Sequence, residues 1–251
     1  MWLKLRSIFF TAPMIVFSTV MMGTMSLFAS FFDSTGRRQH AIARGWSRIL
    51  LAVSGVRVIA QGVEKLDPEK GYVLVANHSS YFDIPVIMAT LPLQFRFFAK
   101  QGLFRIPFLG THLQRAGHIA VARGDARASL KSMSDGARML RERNLSVLLF
   151  PEGGRTVDHL TEFKEGTAYI AIKAGVPAVP IGLEGMRDIL RMHTGYVYPG
   201  TVHLRVGDPI ETADMTVRDR ERLTKELHDR VAELCGESVD SAAALRTTPT
   251  D

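Results

Sequence analysis

The stretch Val73-Leu-Val-Ala-Asn-His-Ser-Ser-Tyr-Phe-Asp-Ile-Pro85 decides how the rest of the chain is read. Val73 to Ala76 has the composition of a buried strand, and Asn77-His78-Ser79-Ser80 is a polar exit from it. Asp83 follows, and an apolar run of helical character resumes from Ile84 to Leu91. A strand that delivers a His and an Asp to the lip of a core sets a base beside a carboxylate able to orient it. The spacing alone selects little. The chain repeats it at His203 and Asp208, where Val202, Leu204 and Val206 alternate with His203 and Arg205 as on an ordinary half-exposed strand. The weight of His78 rests on its surroundings.

Those surroundings belong to a chain of 251 residues, enough for one large domain or two small ones. Hydrophobic residues at 46% exclude disorder, and part of that share is concentrated at the N-terminus. A formal charge of +6 favours anionic partners: phosphorylated small molecules, lipid head groups or nucleic acid. Nucleic acid is disfavoured, because no arginine-rich block carries interleaved aromatics. The single cysteine, Cys235, excludes an internal disulfide and a thiolate zinc cluster, and its place is the apolar face of the last helix.

Ile8 to Phe32 contains no charged residue, while Lys4 and Arg6 precede it. As a helix this run extends roughly 37 Å, enough to cross the hydrocarbon of a bilayer. No small-x-small cleavage site marks it as a signal peptide, and Pro13 and Gly23 could bend it into a helix pair or a half-inserted segment. Arg37, Arg38, Arg44 and Arg48 follow it, so the basic count leans towards a cytoplasmic downstream side. Gln39 to Ser54 forms an amphipathic helix, on a membrane surface or against the core, and completes an N-terminal membrane-associated helical segment, 1–54.

From residue 55 the pattern becomes α/β. Strands are predicted at 56–61, 72–76, 95–99, 119–122, 146–150, 178–183 and 201–206. Helices are predicted from the Asp125 cap to about Arg143, over 164–174 with Gly175 as its stop, and over 221–234. This alternation implies a mixed, largely parallel sheet covered by helices on both faces, in one domain over 55–236. The tail 237–251, rich in Ser, Ala and Thr, is predicted to be disordered.

Three further stretches punctuate strand ends. Lys100-Gln-Gly-Leu-Phe-Arg-Ile-Pro-Phe-Leu-Gly110 follows a strand and reads, in the bland case, as an amphipathic loop packed on the sheet. Gly117-His-Ile-Ala-Val-Ala-Arg123 delivers an Arg at a strand's C-terminal end. Phe150-Pro-Glu-Gly-Gly-Arg-Thr156 sets Glu152 and Arg155 around two glycines, either a tight structural turn or a place where backbone and guanidinium hold a phosphate. Ligands of open α/β sheets gather outside the carboxyl ends of strands, where His78, Arg123 and Arg155 are all expected. The residues by themselves imply group transfer on a phosphorylated amphiphile.

The ordered blocks N-H-S-S-Y-F-D, G-H-I-A-V-A-R, F-P-E-G-G-R-T and V-P-A-V-P resemble the glycerolipid acyltransferase family, and within it the 1-acylglycerol-3-phosphate (lysophosphatidic acid) acyltransferases, from about Gly55 to Leu234. The resemblance implies that His78 is the general base for the acceptor hydroxyl and that Asp83 orients it. It implies that Arg123, Glu152, Gly153 and Arg155 lie at the acyl-acceptor site, with Lys100 as a further phosphate contact. It implies acyl-CoA or acyl carrier protein as co-substrate donor, a lysophospholipid acceptor, membrane lipids as surroundings, no metal or other cofactor, and an active site on the cytoplasmic face. Val176 to Pro180, the fourth block, is read as structural. Departures from the family pattern are Gly154 for the usual Thr, Thr156 for Ser, Gly102 for an acidic residue and Ala120 for an aromatic one. They bear on acceptor choice and leave open another lyso-lipid, such as a lyso-aminolipid. Non-catalytic binding of anionic lipid, or hydrolysis of a thioester or lipid, are the other readings.

Overall fold

The computed structural model describes residues 1–106, 109–121, 126–156, 158–190 and 194–237. Arg123, the Asp125 cap and positions 238–251 of the predicted tail lie outside the described residues. The N-terminal run forms α1 (Trp2–Arg6), a π-helical turn (Ser7–Thr11) and α2 (Ala12–Ala29), continuous from Trp2 to Ala29. Pro13 and Gly23 leave it unbroken, and the irregularity is the π turn just before Pro13. The 28-residue helix has a most apolar window of mean hydropathy 1.7, only 11% of it buried. It is therefore no core helix, and it is long and apolar enough to cross a membrane.

Next come α3 (Arg37–Ser54), β1 (Val56–Gln61), β2 (Val73–Ala76), α4 (Asp83–Thr90), β3 (Phe95–Lys100), α5 (Leu109–Arg115) and β4 (Ile119–Val121). Then follow α6 (Ala126–Arg143), β5 (Ser146–Leu149), α7 (Gly166–Ala174), β6 (Ala178–Glu184), α8 (Met186–Ile189), β7 (Gly200–Val206) and α9 (Arg220–Cys235). Two differences from the sequence reading have local causes. Helix α3 starts two residues early because the Asp33 carboxylate accepts the Thr35 and Arg38 N–H groups and closes the turn before it. The expected loop at 100–110 is largely helical, with a 3-10 turn (Gln101–Arg105) leading towards α5.

One seven-stranded sheet has the order β1-β7-β6-β2-β5-β3-β4. Every neighbouring pair is parallel except β6–β7, so β1 and β7 run against the other five. Strand β2 is central, and all four of its residues are fully buried because helices cover both faces. Leu74 and Ala76 turn towards α3 and α4, beside Leu50, Ile87 and Met88. Val73 and Val75 turn towards α6, α7 and α9, beside Leu140, Ile170 and Leu227. Cys235 is buried on α9, and burial pushes its thiol up to about 11. Glu237, assigned by sequence to the tail, instead accepts the Leu160 N–H and pairs with Arg187, so the folded unit extends to it.

Candidate active site

Strands β2, β5 and β3 lie side by side and parallel, so their carboxyl ends open on one edge of the sheet. Beyond Ala76 the Asn77 amide takes over the ladder. Its Nδ2 donates to the Leu183 carbonyl at 2.9 Å and its Oδ1 accepts the Leu183 N–H at 2.8 Å. That anchor fixes where the chain leaves the sheet and hence where His78 begins.

The turn from Ser79 to Phe82 winds around one carboxylate oxygen. Asp83 Oδ2 accepts the Ser79 N–H at 2.8 Å and the Ser80 N–H at 2.9 Å, and it lies 2.7 Å from His78 Nδ1. The His-x4-Asp spacing is thus the length of chain needed to wrap a carboxylate at the first residue of α4, where the helix dipole also favours negative charge. The Asp83 side chain has no exposure, while that of His78 keeps 12%. With its Nδ1–H given to Asp83, a neutral imidazole offers Nε2 as a proton acceptor. The His78 ring stacks on Phe150 at 4.0 Å and 19°, which fixes its plane.

The loop after β5 grips His78 from the main-chain side. Glu152 Oε1 accepts the His78 N–H at 2.6 Å, and Thr156 N–H donates to the His78 carbonyl at 2.9 Å. Glu152 Oε2 accepts from Thr156 Oγ1 at 2.8 Å and from Thr161 N–H at 3.2 Å. Glu152 is thereby turned into the protein, 8% exposed, and occupied by protein donors. A carboxylate so placed ties the loop after β5 to the main chain of His78.

Arg155 does face the open side. Its guanidinium carbon lies 3.6 Å from the centre of the Tyr81 ring, and its buried Nε has no hydrogen-bond partner. Gly153 has φ +78°, and a Cβ there would meet Lys164 Nζ at 2.6 Å. Glycine is needed both for the left-handed turn and to admit the lysine. Lys164 is the site residue that sequence reasoning missed. It had been placed as the first residue of a helix, but its N–H donates to the Pro151 carbonyl at 3.0 Å, which keeps it in the loop and delays α7 to Gly166. Lys100, at the end of β3, lines the same space, while Arg123 lies outside the described residues. The sequence decoy is resolved too: Asp208 pairs with Lys65 at 2.8 Å.

A cavity of about 1460 Å³ runs from this edge between the sheet and the α2–α3 pair, larger than a pocket for a drug-sized ligand. His78, Arg155 and Lys164 line it, and Leu27, Ile42, Met88 and Leu148 make apolar wall. Among the described residues no group of three or more His, Cys, Asp or Glu is placed to hold a metal ion. The arrangement can take a proton from a hydroxyl, hold an anionic group nearby and receive a long apolar chain.

Comparison with known proteins agrees with that chemistry. The acyltransferase family model matches residues 57–184. The 1-acyl-sn-glycerol-3-phosphate acyltransferase of Limnanthes douglasii is 31% identical over 182 residues, covering 72% of this chain and 64% of the relative. The alpha form of that enzyme from Mus musculus is 30% identical over 167 residues, covering 66% of this chain and 59% of the relative. The chain thus spans less than two thirds of the length of these relatives. The crystal structure of the 1-acyl-sn-glycerophosphate (LPA) acyltransferase PlsC from Thermotoga maritima has the same fold, with a TM-score of 0.77 over 99% of this chain and all of that one, at 21% identity.

Proposed function

The chain belongs to the acyltransferase family, and from that premise we propose that it moves a fatty acyl group from acyl-CoA or acyl carrier protein to the free sn-2 hydroxyl of lysophosphatidic acid, giving phosphatidic acid. The observation that carries this reading is the His78–Asp83 pair at the edge of an apolar cavity, beside a guanidinium whose Nε is unspent. His78 Nε2 accepts the hydroxyl proton as the oxygen attacks the thioester carbonyl, and Asp83 stabilises the imidazolium that forms. The tetrahedral intermediate collapses with cleavage of the C–S bond, and the leaving thiolate takes the proton back from His78. No acyl-enzyme is required.

Arg155, Lys164, Lys100 and Arg123 hold the acceptor phosphate, with Gly153 allowing it to approach the backbone. The cavity takes the acyl chain, and the Trp2–Ala29 helix keeps the site at a membrane, on its cytoplasmic face. Glu152 acts through position, by holding the main chain of His78.

A second acceptor has an observation of its own. Gly154, where the family usually carries Thr, has nothing within 4 Å of where a Cβ would stand. That space beside Arg155 suits a bulkier lyso-lipid head group. The test is an acceptor panel with purified full-length protein in detergent, read by mass spectrometry, with His78→Ala as the blank. Acylation of lysophosphatidic acid above the blank is expected. Acylation of another lyso-lipid alone would move the assignment to the second acceptor, and acyl-CoA consumed with no acceptor present would indicate a hydrolase.

A further inference from the structure

Several surface arginines of the chain take carboxylate partners: Arg138 pairs with Asp135, Arg205 with Glu184 and Arg220 with Glu165. Arg155 takes a ring. Its guanidinium carbon stands 3.6 Å from the centre of Tyr81, a closer approach than that of Lys4 to Tyr196 or Arg115 to Phe31. Among the described residues it makes no ion pair and donates no hydrogen bond. The nearest carboxylate along the chain is Glu152, whose oxygens are spent inward on the His78 N–H, the Thr156 hydroxyl and the Thr161 N–H. The loop thus withholds its own anion from Arg155.

Tyr81 belongs to the other side of the mouth. It lies in the turn that winds around Asp83 Oδ2, and it lines the cavity together with Arg155. Its neighbours Ser80 and Phe82 are buried, while Tyr81 itself is 57% exposed, so core packing does not account for an aromatic side chain there. The contact with Arg155 does. A carboxylate would hold the guanidinium by cancelling its charge and consuming its donors. A ring face holds it through the aromatic quadrupole, leaves the charge in place and takes none of the terminal N–H groups. The fork that remains matches a phosphate bidentately. Gly154, with nothing within 4 Å of where a Cβ would stand, leaves space beside it.

We propose that Tyr81 is a positioning residue for the acceptor: its ring holds the Arg155 guanidinium at the mouth of the cavity with charge and donors free for the acceptor phosphate. Tyr81 sits in the turn that sets His78 against Asp83, so the phosphate ligand and the base are registered from one short piece of chain. The ring face makes the contact, and the phenol hydroxyl is not needed for it. The effect is on binding of the acceptor, because the guanidinium is held before any substrate arrives and Tyr81 takes no part in proton transfer. The proposal rests on the acyl-transfer reading above, with Arg155 at the phosphate.

The experiment is steady-state kinetics of the full-length protein in detergent, varying the phosphate-bearing lyso-lipid that is acylated at saturating acyl-CoA, and then the reverse. Position 81 carries Tyr, Phe, Leu or a phenylalanine with successive ring fluorines, which drain the negative face of the ring and barely change its size. Tyr81→Phe is expected to keep the acceptor KM within about twofold, and Tyr81→Leu to raise it roughly fivefold or more. Along the fluorinated series the acceptor KM should climb step by step, while kcat and the donor KM stay within about twofold. In an Arg155→Ala background, Tyr81→Leu should add less than about twofold, because the ring has no guanidinium left to hold. An equal Tm for each variant, expected of so exposed a side chain, separates these effects from unfolding. A flat acceptor KM along the fluorinated series, multiplying effects of the two substitutions, or a Tyr81→Leu loss confined to kcat would each overturn the role of the ring while leaving acyl transfer standing. Absence of His78-dependent transfer to every lyso-lipid would overturn the acyl-transfer reading, and this role with it.

Discussion

The two histidines bonded to β3 make the fold acid-sensitive, and the size of the effect follows from their settings. Burial, with Arg96 and then Arg44 nearby, holds the His40 imidazole down to about 3. Burial, with Arg96, His112 and His40 nearby, does the same to His118. Protonation would also place an N–H against the main-chain donors of Phe95 and Phe97. In the unfolded chain both rings take up a proton near pH 6.5. Between that pH and about 3 the unfolded state binds more protons, so stability falls as pH falls and is complete only above about 6.5. From pH 7 to pH 5 each ring costs about 2 kcal/mol, roughly 4 kcal/mol for the pair, on the order of 8–16 °C in Tm for a chain of this size. The assay is thermal unfolding in detergent, followed by tryptophan fluorescence across that pH range. His118→Asn and His40→Gln keep an acceptor for the strand N–H but cannot titrate. Each should remove about half of this pH dependence, and the double variant most of it. A wild-type Tm unchanged down to pH 5, or a double variant with the wild-type slope, would refute the reasoning.

Asp83→Asn should keep the fold and lower kcat by roughly 10³ to 10⁴, because the amide can present its N–H to His78 and select the wrong tautomer; measurement at fixed saturating acceptor checks it. Arg155 and Glu152 should separate by kinetic parameter. Arg155→Ala is expected to raise the KM for the acceptor by roughly tenfold or more and leave the donor KM alone, whereas Glu152→Gln, which loosens the grip on the His78 main chain, should lower kcat with little change in either KM. Equal effects of Arg155→Ala on both substrates would remove it from the phosphate site.

What could be read in advance depended on how local each signal was. The strands announce themselves because β2, β5 and β6 are covered on both faces and carry runs of Val, Leu and Ile. His78 and Asp83 were legible because their geometry closes within a single turn. The grip of Glu152 on His78 left no local signal, since its Oε1 meets a main-chain N–H 74 residues away. Lys164 escaped because a lysine before an apolar stretch looks like an ordinary helix start, and only its bond to Pro151 shows otherwise. The polar end of the cavity left no pattern at all. Gln39 and His40 on α3, Arg96 on β3, His112 on α5 and His118 just before β4 meet only when α3 and α5 close over β3.

That meeting bears on how an enzyme of this build could tell one chain from another. Helix α2 carries Phe17, Met21, Met25 and Phe28 on an exposed face, while Thr19, Met22, Gly23 and Ser26 line the cavity, both sets at helical spacing. The helix is thus a partition with an apolar outside and a cavity inside. For the acyl chain of the proposed reaction, passing from bilayer to cavity exchanges one apolar environment for another, so burial of methylenes supplies little driving force. Discrimination then falls to the shape of the wall and to whatever polar groups the chain meets. Among those groups are the rings of His40 and His118, whose bonded nitrogens are fixed as acceptors by the strand N–H groups.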